Sequence, residues 1–323
     1  MEPLSRDEVG RELEPIVADL ERIEEIIYDI SAAATSFLTE GTTYLTKAGG
    51  KRLRPALGIL GANLGTGANH NVDVTSAAIE MTHLATLYHD DVIDEADMRR
   101  GVPSANEKWG NKVAILAGDY LFARASWISA QVGGEVPEAL ADAIAQVVQG
   151  QVNELSSVYD PTRSQEQYLD TIGGKTASLL EVAVRLGASL AGCDRSVVEA
   201  MRDFGIAFGY AFQVADDLLD LTASEEELGK PPGTDLRDGV YTLPVIYAVE
   251  ADSGLAAKLG SPSVDVEAVR DAVIATGGFD RAMGKAATYV DSALASLRKA
   301  PESEARSTLE KLTRLVVDRV PVP

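Results

Sequence analysis

The chain has 323 residues, 46% of them hydrophobic, enough to bury a large core as one big domain or two smaller ones. Acidic residues outnumber basic ones by 50 to 29, and the formal charge of -21 is spread along the chain, which argues against nucleic acid or an anionic membrane as the main partner. The single Cys193 cannot form an internal disulfide, and neither a secretory signal nor an apolar run of roughly 18 residues stands in the chain, so a cytoplasmic protein without stable membrane insertion is expected.

Apolar residues recur at helical spacing over residues 7–30, 33–47, 52–65, 75–94, 111–132, 137–158, 165–191, 195–221, 240–250, 265–276, 279–299 and 303–319. No convincing strand pattern interrupts them. Short breakers such as Gly49-Gly50, Gly101-Val102-Pro103, Gly133-Gly134 and Pro231-Pro232-Gly233 separate the segments, and none has the length of an interdomain linker. The expected fold is therefore all-α, one domain over residues 1–323, built as a large helical bundle around a central cavity. The segment 195–221 carries Val197, Met201, Phe204, Ile206, Phe208, Phe212 and Val214, apolar nearly all round, and is expected at the centre.

Two aspartate clusters of identical spacing stand in this pattern: Asp90, Asp91 and Asp94 in LYHDDVIDEAD, and Asp216, Asp217 and Asp220 in FQVADDLLDLT. At 3.6 residues per turn each cluster gathers its carboxylates on one side of a helix. Two carboxylates about 5 Å apart repel by roughly 3 kcal/mol at an effective dielectric near 20, so six in one site call for divalent cations. The few basic residues are placed to match. Lys51, Arg52 and Arg54 open one helix, and Arg99-Arg100 follow the first cluster. Carboxylates beside cations suit a diphosphate, gripped directly by Lys and Arg and through Mg2+ by the aspartates.

With these residues in view, the chain resembles the trans-isoprenyl diphosphate synthases, the polyprenyl synthetase family, over nearly its whole length. The motifs that carry the resemblance are GGKRLRP at 49–55, MTHLATLYHDDVIDEADMRRG at 81–101, AGDYLFARA at 117–125, GGKTASLL at 173–180, FQVADDLLD at 212–220 and GKPPGTDLRDG at 229–239. The resemblance implies the isoprenoid synthase type I fold and a Mg2+-dependent prenyltransferase with about three Mg2+ per site. It also implies a homodimer. Asp90, Asp91, Asp94, Asp216, Asp217 and Asp220 would bind the metals and act in catalysis on an allylic diphosphate. Arg99, Lys175, Thr176, Gln213 and Lys230 would contact that diphosphate. Lys51, Arg54, His83 and Arg100 would hold isopentenyl diphosphate without metal. His83 stands seven residues before Asp90, roughly 10 Å along a helix and nearly on the same face. One departure is Val240, where many members have Lys.

In this family the two residues four and five places before the first aspartate gate the product cavity. Here they are Thr86 and Ala85, both small, which implies a product of six to ten isoprene units rather than geranylgeranyl or farnesyl diphosphate. Ile144, Val147 or Val148 would form the floor, or else belong to the plain core. Two rival readings are a terpene cyclase, which has no use for a second full cluster, and a non-catalytic subunit of a heteromeric synthase, which tends to lose motif aspartates. Gly174-Lys175-Thr176 lacks the upstream Gly and the strand of a P-loop, and Glu80-x-x-His83 lacks the second half of a di-iron site. Neither a nucleotide nor iron is expected.

Overall fold

The computed structural model describes residues 6–223, 232–261 and 263–321. Lys230 and Pro231 of the GKPPG motif lie outside the described residues. Helices follow one another with short turns: α1 (Arg6–Leu13), a 3-10 turn (Glu14–Ile16), α2 (Val17–Ser31), α3 (Ser36–Lys47), α4 (Leu53–Ala62) and α5 (His70–Ile93). After a small hairpin, β1 (Met98–Arg99) with β2 (Val102–Pro103), come α6 (Ala105–Trp109), α7 (Asn111–Val132), α8 (Val136–Leu155) and α9 (Gln165–Ile172). A π-helical turn (Gly173–Ala177) joins α9 to α10 (Ser178–Leu190), which leads to α11 (Arg195–Thr222). The remainder is α12 (Thr234–Arg237), α13 (Leu243–Ala251), α14 (Val266–Ala275), α15 (Gly278–Leu297) and α16 (Glu304–Asp318).

Local chemistry sets many of the starts. Thr35, Asn69, Asp265 and Ser303 each accept a hydrogen bond from a first-turn N–H of the helix they precede, and Ser164 with Gln167 forms a reciprocal capping box at α9. Pro15 falls in the 3-10 turn that divides the expected 7–30 segment. Pro244 sits in the first turn of α13, so the helix expected from residue 240 starts at Leu243.

Buried side chains form one cluster that runs from Leu13 to Val320. Within it α5 packs along α7, α10 against α4 and α11, and α11 against α15. The α4–α10 crossing is backbone to backbone: a Cβ on Gly187 would stand 2.0 Å from the Gly58 carbonyl oxygen. Only glycine permits that approach. α11 is less uniformly apolar than its sequence suggests, because Phe204, Phe208, Val214 and Leu218 are buried while Glu199, Arg202, Asp203 and Ile206 face outward. It runs along the edge of the site with one face in the core.

Candidate active site

Two cavities of about 610 and 520 Å³ meet in the middle of the bundle, and Asp94, Lys175, Thr176 and Gln213 line both. The smaller is the basic one. Gly49 and Gly50, with φ of 88° and 154°, turn the chain out of α3, and Arg52 takes a left-handed φ of 49° before α4 begins. The Arg52 guanidinium donates at 2.9 Å to the Thr46 carbonyl and to Glu24, and at 3.4 Å to Glu80. Arg100 reaches the same place from the hairpin, whose two-residue turn has φ of 53° at Arg100 and 77° at Gly101, the left-handed pair that matches strand twist. Its guanidinium donates to the Leu45 carbonyl at 2.9 Å and also to the Gly49 carbonyl. Carbonyls at and just past the end of α3 thus orient two arginines. Lys51, Arg54 and His83 complete this wall. Burial pulls the Arg54 guanidinium down to about 10, with Glu80 opposing. Burial and the surrounding arginines hold His83 well below the usual imidazole range, so at neutral pH it offers a hydrogen bond rather than a charge.

The larger cavity is the acidic one, where Asp94, Asp217, Asp235 and Asp238 line the wall. On α5 the cluster divides. Asp90 and Asp94, one turn apart, face the cavities, whereas Asp91 is fully buried and takes Arg99 on one oxygen at 2.6 Å. Adjacent helical residues diverge by about 100°, which is why the expected gathering of three carboxylates reduces to two. On α11 the three also part. Asp216 opens to solvent at the rim, 3.6 Å from Arg319; Asp217 lines the acidic cavity; and buried Asp220 accepts from the Asp235 N–H, anchoring the turn before α12.

The π-helical turn fixes the joint between the cavities. Gly174 presses on α8, where a Cβ would stand 2.3 Å from the Gln146 carbonyl oxygen. Lys175 bonds Glu154 at 2.5 Å. Thr176 donates to Gln213 at 2.7 Å, and Gln213 to Asp217 at 2.9 Å. Tyr168 closes the chain on the other oxygen of Asp217 at 2.5 Å. Burial lifts the Asp90 carboxyl to about 6, against the pull of Lys175. Burial, with Asp235 adding, lifts Asp217 well above the usual range.

The donor set fits Mg2+. One oxygen of Asp91 is buried without a hydrogen-bond partner, and the carboxyls lifted by burial are those that a cation would return to the charged form. Among the described residues no three His, Cys, Asp or Glu converge on a point. Mg2+ prefers oxygen ligands and keeps several waters and phosphate oxygens of its own, so one or two carboxylates per ion suffice.

Of the expected gate residues, Thr86 lines the basic cavity together with Leu87, Val147 and Leu180. Ala85 is fully buried, its carbonyl turned to Gly118 of α7. Val148 is 55% exposed on the outer face of α8, because it follows Val147 by 100°; in this chain it is neither floor nor core. Ile144 is partly buried against the core. Sequence spacing does not single out Tyr168, Glu154, Arg319 or Asp235, since each joins the site by long-range packing.

A helical bundle whose cavity pairs a carboxylate wall with a guanidinium wall suits a diphosphate ligand. Residues 35–275 match the family model described as Polyprenyl synthetase, and this chain belongs to that family. It is 42% identical over 311 residues to nonaprenyl diphosphate synthase of Mycobacterium tuberculosis, spanning 94% of this chain and 92% of that one. The solved decaprenyl diphosphate synthase of Rhodobacter capsulatus superposes with a TM-score of 0.92 at 34% identity, covering 97% of this chain and all of the other (100%). A polyprenyl synthase of Caulobacter crescentus, solved with calcium and isoprenyl diphosphate, matches with a TM-score of 0.91 at 35% identity over 97% and 98% of the two chains. Among the described residues no helix is long and apolar enough to cross a membrane.

Proposed function

We propose that this single-domain chain condenses isopentenyl diphosphate with an allylic diphosphate, adding five-carbon units in the trans configuration, and that it requires Mg2+. The observation that carries the reading is the joining of an acidic and a basic cavity through Asp94, Lys175, Thr176 and Gln213. Mg2+ on the aspartates would neutralise the charge of the departing diphosphate so that the allylic C–O bond ionises. Lys175 and Arg99 steady that diphosphate, and Lys230 is assigned to it by the family motif. Arg54, Arg100, Lys51 and neutral His83 hold isopentenyl diphosphate with its double bond toward the joint. Phe212 and Leu180, on the basic-cavity side of the joint, keep water from the allylic cation. The released diphosphate takes the proton lost after attack, and no side-chain nucleophile is needed.

Small Thr86 on a cavity wall shared with apolar Leu87, Val147 and Leu180 supports a product of six to ten units. Each unit contributes roughly 4 kcal/mol of burial at about 0.8 kcal/mol per carbon. The relatives with nine- and ten-unit names point the same way. A homodimer is supported by apolar side chains that α7 and α8 leave exposed, among them Leu116 (61%), Val148 (55%), Val152 (52%) and Trp127 (50%). The charge and the lone cysteine suit the cytoplasm.

The test incubates the purified chain with isopentenyl diphosphate, Mg2+ and a series of allylic primers, and reads diphosphate release and product mass. Extension in five-carbon steps is expected. Release without consumption of isopentenyl diphosphate would indicate a cyclase, and no release with any primer would overturn the enzymatic reading.

A further inference from the structure

Glu80 stands one turn before His83 on α5, 2% exposed, and lines the basic cavity beside Lys51, Arg52, Arg54 and Arg100, apart from the motif aspartates that also reach it. A carboxylate in a cavity for a polyanion opposes the ligand's charge, so its presence calls for a reason. Its direct ion pair is with Arg52, at 3.4 Å, and its field also favours the charged forms of Arg54 and Arg100 against burial. The outer edges of the cluster are tied elsewhere: Arg52 to Glu24 and the Thr46 carbonyl, Arg100 to the Leu45 and Gly49 carbonyls. Arg54 has no such tether. It makes no ion pair among the described residues, and its Nε is buried without a partner. Glu80 is therefore the negative charge around which guanidiniums that would otherwise repel one another are gathered.

We propose that Glu80 is a positioning residue for the isopentenyl diphosphate subsite: through its ion pair with Arg52 it fixes the guanidinium wall that Arg54 and Arg100 share, keeping that wall converged on the place of the metal-free diphosphate without itself touching the diphosphate. The proposal rests on the functional reading above. Two physical effects of substitution have opposite signs, which makes the experiment decisive. By charge alone, Glu80→Gln removes a repulsive group and tightens diphosphate binding; by loss of positioning, it weakens it.

Steady-state kinetics in Mg2+, with isopentenyl diphosphate and primer varied separately, should show KM for isopentenyl diphosphate raised about tenfold in Glu80→Gln. kcat and the primer KM should change less than about threefold, and Glu80→Asp, which keeps the carboxylate but withdraws it by one methylene, should show an intermediate loss. An unchanged or lower KM for isopentenyl diphosphate overturns the proposal. So does an equal loss toward both substrates that tracks a fall in thermal midpoint. If Glu80→Gln does not fold, calorimetric titration of Glu80→Asp with inorganic pyrophosphate in the absence of metal replaces it; binding as tight as in the unsubstituted protein overturns the proposal. Failure of the functional reading looks different, since the unsubstituted protein would then consume no isopentenyl diphosphate with any primer.

Discussion

The Tyr168 hydroxyl donates to Asp217 at 2.5 Å, and Gln213 donates to the other oxygen of the same carboxylate at 2.9 Å. Burial and Asp235 oppose ionisation of Asp217, and these two hydrogen bonds favour it. Tyr168→Phe removes one of them and makes the carboxylate harder to charge. The Mg2+ concentration for half-maximal activity is expected to rise roughly three- to tenfold, with KM for isopentenyl diphosphate unaltered. Activity titrated against Mg2+ at fixed substrates checks this; coincident curves for the two proteins would remove Tyr168 from the metal side.

Acid should stabilise the metal-free protein. Burial raises Asp90 to about 6 and lifts Asp91 and Asp217 in the same direction. Groups of this kind hold a proton in the folded state that the unfolded state has released, so stability falls as pH rises between the ordinary carboxylate range and about 6. His83 has the opposite sign: held below its usual range, its contribution is present above that range and is lost as pH falls. With Asp94, which burial also raises, four carboxyls act in one direction and one imidazole in the other. Without metal, the thermal midpoint is expected to rise between pH 7.5 and 5.5, and added Mg2+ should stabilise more at pH 7.5, where binding displaces fewer protons. A metal-free midpoint that falls over that interval would contradict the assignment.

Product length separates Thr86 from Ala85. Thr86 lines the cavity, so Thr86→Phe is expected to shorten the product by one or more isoprene units, read by mass spectrometry, at little cost in stability. Ala85 is enclosed beside α7, so Ala85→Phe is expected to lower stability by about 1–3 kcal/mol through overpacking and to shorten the product only as the α5–α7 packing shifts. A full-length product from both variants would discard this end of α5 as the gate.

Gly187 tests the crossing that supports the basic wall. Its missing Cβ leaves room for the Gly58 carbonyl, and Gly187→Ala should destabilise the fold by about 2–3 kcal/mol by forcing α4 from α10. Chemical denaturation measures it. An unchanged midpoint would mean that the two helices separate without penalty.

The sequence made the helices and the chemistry of the two walls readable, because aspartates in apolar helices and clustered arginines conflict with burial unless a ligand resolves them. What it hid were rotations and returns. Gly173–Ala177 reads as continuing helix, since nothing in GGKTA distinguishes an α turn from a π turn. Asp91 cannot be told from Asp90 until its partner Arg99 is placed by the hairpin turn. Arg319 lies far from Asp216 in sequence and meets it only because α16 packs against α11. Val148 looked as buried as Val147 because a stretch of valines carries no sign of which side faces out.

The π-helical turn between α9 and α10 acts as a phase shifter. Its wider hydrogen-bonding adds one residue to the turn, which sets everything downstream back by about 100° relative to an unbroken α-helix. In an unbroken helix Tyr168 and Leu180, twelve residues apart, would diverge by about 120°; with the extra residue absorbed, they come within roughly 20°. A polar clamp on the metal side and an apolar wall for the growing chain are thereby carried on one continuous rod. The alignment depends on the number of residues in the turn rather than on their identity: a one-residue deletion within Gly173–Ala177 that closes the turn to ordinary α-helix would leave the two aligned, whereas a one-residue insertion would turn one of them away from the site while leaving every side chain outside the turn chemically intact.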